Sequence, residues 1–220
     1  VGKCLLTIAS HFIMLEDYEN ALPLYKEAYQ LALEHKSIEL QQVSGIMLIK
    51  YLCGARYYSE SLEYYNKIKP EIAFNPSMQN EVVKSYMELN KPDSARIYLA
   101  ARLLSERGDK IVLNCMMAET YITEELEDSA FVFLDRPMKS YKERAKNYQK
   151  KGKEPILPNC FLSPCYSFAD LLWKKGKIQQ ASQYYMIVEP LMKERVKTPV
   201  RMELQIKALT NFSSFCRETK

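Results

Sequence analysis

The chain has 220 residues, of which 47% are hydrophobic and 26% charged, with a net charge of +4. This is the balance of a folded globular protein, and the charge is too modest for a dedicated nucleic-acid binder. Six Gly are too few for a turn-rich β fold or glycine-rich phosphate loops, and no apolar run reaches the roughly 18 residues of a membrane helix.

One pattern recurs along the chain: an apolar helical stretch, a short polar turn, then a small residue followed, usually four residues later, by an aromatic residue or Leu. The small anchors are Ala21, Ser61, Ala95, Ala130 and Ala181, at separations of 40, 34, 35 and 51 residues. A recurrence near every 34 residues with this spacing marks a helix–turn–helix repeat.

The first repeat shows the logic. Leu5, Ile8, Ala9 and Phe12 fall on one helical face, and Ala21, Tyr25 and Ala28 on another. Ala9 and Ala21 let the two helices approach closely, while Phe12 and Tyr25 fill the space beside them. Later repeats follow the same template through Leu48, Leu52, Ser61 and Tyr65; Val82, Tyr86, Ala95 and Leu99; Met117, Ala118, Tyr121, Ala130 and Leu134; and Phe168, Ala169, Leu172, Gly176, Ala181 and Tyr185. The spacing predicts helix pairs at about 3–15/18–34, 38–53/57–68, 77–89/92–107, 109–123/127–150 and 160–174/177–196, and a terminal helix at about 199–217.

Boundary residues agree with this register. Pro92 suits a first helical turn, Gly108-Asp109 reads as a C′ glycine followed by an N-cap, and Thr198-Pro199 reads as another helix start. Pro137 is expected to kink the second helix of the fourth repeat. The long fourth interval places an irregular insertion at 139–164, with a Pro- and Gly-containing loop after Lys150. The basic residues of 139–153 are interrupted by Glu143 and Glu154 and read as a solvated helix face rather than a nucleic-acid surface.

Nothing in the chain reads as a catalytic motif. His11 and His35 are not spaced as ligands, and no metalloprotease, nucleophile-elbow or phosphate-loop pattern occurs. The six cysteines lie mostly in apolar helical stretches and read as small core residues. The five-residue offset of Cys160 and Cys165 is not a metal-ligand spacing. The expectation is a protein without catalytic, cofactor or metal sites.

These positions resemble the tetratricopeptide repeat, with Ile8, Ala9, Phe12, Ala21, Tyr25 and Ala28 matching it best; Ile49, Ser61 and Pro137 depart from its pattern. The resemblance covers nearly the whole chain. It implies a single all-α, right-handed superhelix over 1–220, with about five helix pairs plus a terminal helix, binding a protein or peptide segment in its concave groove. The template register places Ser10, Lys50, Lys84, Met87, Glu119, Tyr166, Asp170 and Trp173 on that groove, with Trp173 reading equally as an interhelix seam residue. A basic start and an acidic end imply a ligand with acidic residues toward the N-terminal repeats. The Lys and Asn required for carboxylate-clamp binding of a chaperone tail are replaced by Leu6 and Ser10, so that mode is not implied.

The phrases around Ala95 and Ala130 are similar to repeats of Bacteroidetes-type regulators, where such repeats form a sensory segment of a membrane-linked transcription regulator. That role, and a structural subunit dimerising through the terminal helix, stand as alternatives. Direct nucleic-acid contact is not expected, and the compartment, cytoplasmic or periplasmic, stays open.

Overall fold

A computed structural model describes residues 1–68, 78–105, 109–150, 159–193, 210–211 and 213–217. The described residues are helical with connecting turns and contain no strand. In chain order the helices are α1 (Gly2–Met14), α2 (Tyr18–Glu34), α3 (Ile38–Gly54), α4 (Tyr58–Lys67), α5 (Gln79–Glu88), α6 (Pro92–Leu104), α7 (Lys110–Thr123), α8 (Glu127–Lys150), α9 (Leu162–Lys174) and α10 (Ile178–Lys193). A 3₁₀ turn (Asn159–Phe161) precedes α9, and residues 210–211 and 213–217 are helical. Contacts divide the chain into two compact units, Val1–Arg107 and Gly108–Lys220.

The turn within each helix pair is built the same way. Glu16, Arg56, Asn90, Glu125 and Gly176 all have left-handed backbone, with φ of 58°, 66°, 54°, 57° and 75°. The next residue donates its N–H to the carbonyl five positions back: Asp17 to Phe12, Tyr57 to Leu52, Lys91 to Tyr86, Leu126 to Tyr121 and Lys177 to Leu172, at 2.8–2.9 Å. This is a Schellman closure, which satisfies a carbonyl left open at the helix end and reverses the chain. Five residues after each left-handed residue comes the small anchor. Ala21, Ser61, Ala95, Ala130 and Ala181 are all fully buried.

In the first unit, consecutive helices pack on one another from α1 to α6, and the leading helices of successive pairs also touch, α1 on α3 and α3 on α5. The core gathers Ala9, Ala21, Tyr25, Leu48, Ile49, Leu52 and Val82 among others. Burying a ring such as Tyr25 contributes about 1.5–3 kcal/mol. Ser61 takes the place of an anchor Ala without leaving a stranded polar group, because its hydroxyl donates to the Ile49 carbonyl at 3.1 Å. Gly45 supplies the small residue on the α2–α3 side; a Cβ there would stand 3.1 Å from the Ile68 side chain and 3.3 Å from the Tyr29 ring. Arg102 is buried between α5 and α6. With the Gln79 amide turned so that its oxygen faces the guanidinium, Nη2 and Nε donate to it at 2.5 and 3.2 Å.

In the second unit, α7 packs on α8 and α9, and α9 packs on α10. Ala118, Ala130, Leu134, Phe168, Ala169, Ala181 and Tyr185 share one core with Phe215. Lys177 reaches Glu127 at 2.5 Å and Lys175 donates to the Glu125 carbonyl at 3.1 Å, tying the two interhelix turns together.

Pro92 opens α6 and the Asp109 carboxylate caps α7, accepting from the Ile111 N–H at 2.8 Å, as the sequence predicts. Within the stretch 139–164, helix α8 continues past Pro137 to Lys150, and the 3₁₀ turn Asn159–Phe161 leads into α9. Pro137 removes one rung of α8, while Leu134 and Met138 on either side stay buried. Lys139 is paired with Asp135 at 2.6 Å. The expected loop at 151–158, Gly108, and the expected helix start at Thr198-Pro199 lie outside the described residues.

Left-handed backbone costs a non-glycine residue roughly 1–2 kcal/mol. Arg56 is exposed and has a φ of 66°, so Arg56→Gly is expected to stabilise the chain by about 0.5–1 kcal/mol, after allowing for the greater freedom of Gly when unfolded. Gly176→Ala is expected to destabilise by about 1 kcal/mol. Urea denaturation of both variants checks the pair; a neutral or reversed effect in either contradicts this account of the turns.

Candidate functional site

Two of the groove positions come together in the first unit. The last turns of α3 supply Lys50, Tyr51, Cys53 and Gly54, α5 supplies Asn80, Glu81 and Lys84, and α2 supplies Tyr18; together they line a pocket of about 240 Å³. The pocket follows from the packing of α3 on α5. Cys53 closes its inner seam, the thiol donating to the Glu81 carbonyl at 3.6 Å. Burial pushes the Cys53 thiol up, opposed by the Ser85 hydroxyl and the Lys84 charge. At Gly54 the missing side chain leaves room for Tyr18, whose hydroxyl lies 3.4 Å from where a Cβ would stand.

The wall behind the pocket is aromatic. Tyr51 stacks on Tyr25 with centroids 5.1 Å apart, and the Tyr25 hydroxyl shares a 3.0 Å hydrogen bond with Ser10. Ser10 itself is exposed and serves to fix this ring. The Lys50 ammonium lies 5.5 Å from the Tyr51 centroid. Lys50 and Lys84 are both exposed, and among the described residues neither has an ion-pair partner. Glu81 is half-buried, and its Oε2 is buried with no hydrogen-bond partner among the described residues. The mouth therefore offers two positive charges and the interior one acceptor that lacks a donor. Met87 is half-buried further along α5 and does not line the pocket.

The remaining groove positions lie in the second unit. Glu119 on α7 is half-buried. Burial raises its carboxyl above the ordinary range, opposed by a hydrogen bond with the Ser163 side chain. Tyr166, Asp170 and Trp173 on α9 form one face with the terminal helical residues against it. The Asn211 amide donates to the Tyr166 hydroxyl at 2.5 Å and to an Asp170 oxygen at 3.1 Å. Phe215 meets Trp173 edge to face at 5.8 Å and tilts against Tyr185 at 5.1 Å. Lys174 pairs with the other Asp170 oxygen at 3.3 Å. Burial, then the Asp170 charge, push the Tyr166 hydroxyl up to about 12, against the lowering effect of Asn211.

The template register thus brings Lys50 to Lys84, and Tyr166 to Asp170 and Trp173. It misses Tyr18, Asn80 and Glu81 as pocket walls. Asn80 and Glu81 precede Lys84 by one helical turn, so the helical period of α5 already places them beside it. The part played by Asn211 and Phe215 is fixed by tertiary packing and has no local signal.

Among the described residues no cluster of His, Cys, Asp and Glu is arranged to hold a metal ion, and no helix is long and apolar enough to cross a membrane. Set against known proteins, the chain matches no family model, no curated protein and no solved structure.

The buried carboxyl of Glu119 has a stability consequence. Its folded-state value lies above the ordinary 4.5, so the folded chain holds the proton more tightly than the unfolded chain. The resulting stability is fully present below about 4.5 and is lost as pH rises through the folded value. Glu119→Gln should therefore raise the thermal midpoint at pH 7 and match the parent chain near pH 4. An equal difference at both pH values would show that burial of the charge is not what distinguishes the two side chains.

Proposed function

We propose that this chain is a non-catalytic binding module of the tetratricopeptide type, and that its first unit takes an acidic, extended protein segment at the Lys50–Lys84 pocket. The helix pairs, their Schellman turns and the contact of successive leading helices support the repeat reading. The observation that carries the binding reading is the composition of the pocket: two ammonium groups without carboxylate partners around a Tyr-walled recess containing an unsatisfied Glu81 oxygen.

Each feature selects part of the ligand. Lys50 and Lys84 attract carboxylates and steer their approach, an effect on association rate and orientation more than on total affinity. Tyr18 and Tyr51 offer flat apolar surface with little conformational entropy to lose. Glu81 Oε2 needs an N–H or O–H donor, since a buried acceptor left unsatisfied costs about 1–3 kcal/mol. The backbone of an extended peptide provides such a donor beside acidic side chains, whereas a simple anion does not.

Fluorescence anisotropy with a labelled peptide of alternating Asp and apolar residues tests this. The parent chain should bind it with an affinity that falls as salt rises, and should not bind the corresponding Lys peptide. Lys50→Glu/Lys84→Glu should weaken binding by at least about 10-fold, or roughly 1.4 kcal/mol, and flatten the salt dependence while circular dichroism stays unchanged. Equal binding by the parent and the double variant would remove the pocket from consideration.

A further inference from the structure

The terminal helical residues are attached to the second unit more lightly than its other helices. Helix α9 buries eight of its thirteen residues. Among the described residues of 210–217, only Phe215 is buried; Asn211 is half-buried, and Thr210, Ser213 and Arg217 are exposed. Few buried contacts mark an element that opens locally at low cost.

Two side chains one helical turn apart make the attachment. The Asn211 amide nitrogen donates to the Tyr166 hydroxyl at 2.5 Å and to Asp170 Oδ1 at 3.1 Å. Tyr166 and Asp170 are also four residues apart, so one face of α9 supplies both acceptors. Lys174 holds the other Asp170 oxygen at 3.3 Å and orients the carboxylate. An ionised carboxylate only accepts, so this pair selects a group with two N–H donors, such as a carboxamide. Four residues after the amide, the Phe215 ring meets Trp173 edge to face at 5.8 Å and Tyr185 at 5.1 Å. Tyr166, Asp170 and Trp173 are three of the positions that the repeat register assigns to a ligand groove.

We infer that this face is a second binding site, for a helical segment of a partner protein that carries a carboxamide and, one turn later, an aromatic ring, and that residues 210–217 fill it in cis. The polar pair fixes the identity and direction of the occupant, and the aromatic seat anchors it. A partner binds once the resident segment leaves, so its apparent affinity is lowered in proportion to the fraction of chains whose face is open. The site reads an amide and a ring rather than acidic residues, and it stands independently of the Lys50–Lys84 pocket.

The test uses the full chain under reducing conditions. Trp173 is the only Trp, so its emission reports on this face. The probe is a fluorescein-labelled synthetic peptide with the sequence of residues 205–220. Asn211→Asp sets a second carboxylate against Asp170, and Phe215→Ala removes the anchor ring. Each should shift Trp173 emission to the red and increase its quenching by acrylamide, while far-UV circular dichroism is retained. Each variant should bind the peptide at least about 10-fold more tightly than the parent chain does, and binding should return the emission to the blue. A peptide with Asp in place of the amide residue should not bind. In the parent chain itself, hydrogen exchange of residues 213–217 should be at least about 10-fold faster than that of α9, so a variant that fails to fold does not leave the question open. Equal protection of the two segments, folded variants that bind the peptide no better than the parent, or peptide binding without a change in Trp173 emission would each overturn the inference. A parent chain that elutes as a dimer with the same Trp173 emission would assign the face to exchange of segments between copies, and would equally overturn it.

Discussion

The close crossing at the foot of each helix pair is the constraint from which the rest of the structure follows. A left-handed residue reverses the chain, and five residues later a side chain no larger than Ser or Ala must sit against the preceding helix. Ala21, Ser61, Ala95, Ala130 and Ala181 are buried to the same degree, although their neighbours differ widely. Of the five left-handed residues at these within-pair turns, four are Glu, Arg, Asn and Glu rather than Gly. The conformation is therefore imposed by the packing of the two helices and by the hydrogen bond that closes each turn, not by local preference. Interiors are packed nearly as densely as molecular crystals, so a seat made for a methyl group sets how deeply the larger rings on the two helices can interlock.

That constraint also positions the pocket. Helix α3 ends at Gly54, two residues before the left-handed Arg56, so its last turns bring Lys50, Tyr51 and Cys53 up against α5. The Cys53 thiol and the Glu81 carbonyl hold that seam from within, and the Ser10–Tyr25–Tyr51 series braces the wall. In the second unit the corresponding aromatic face is engaged by the chain's own Asn211 and Phe215. Among the described residues Lys50 and Lys84 of the first unit have no ion-pair partner, which is why the proposed binding reading rests on them.

The helix pairs were legible in the sequence because small anchors and apolar faces repeat at a spacing that only helices satisfy. Starts marked by side-chain chemistry, Pro92 and Asp109, stand where that chemistry places them. The left-handed turn residues were less legible. Gly176 and Asn90 are ordinary choices for positive φ, but Glu16, Arg56 and Glu125 carry no such mark, since a charged exposed residue fits many conformations. Ser61 looked like a departure from the template until the Ile49 carbonyl supplied its partner. Of the pocket, the register of α3 and α5 gave Lys50 and Lys84; Tyr18 enters from a different helix, and no sequence period relates it to them.

The most direct measurement of the central constraint compares two alanines on one helix. Ala95 is the fully buried anchor of α6, and Ala100, one and a half turns further on, is exposed. Chemical denaturation of Ala95→Leu should show a loss of about 1–3 kcal/mol, because the added methylenes force the helices of the pair apart, while Ala100→Leu should lie within roughly 0.5 kcal/mol of the parent chain. Equal stability of the two variants would show that the small seat does not govern how the helices pair.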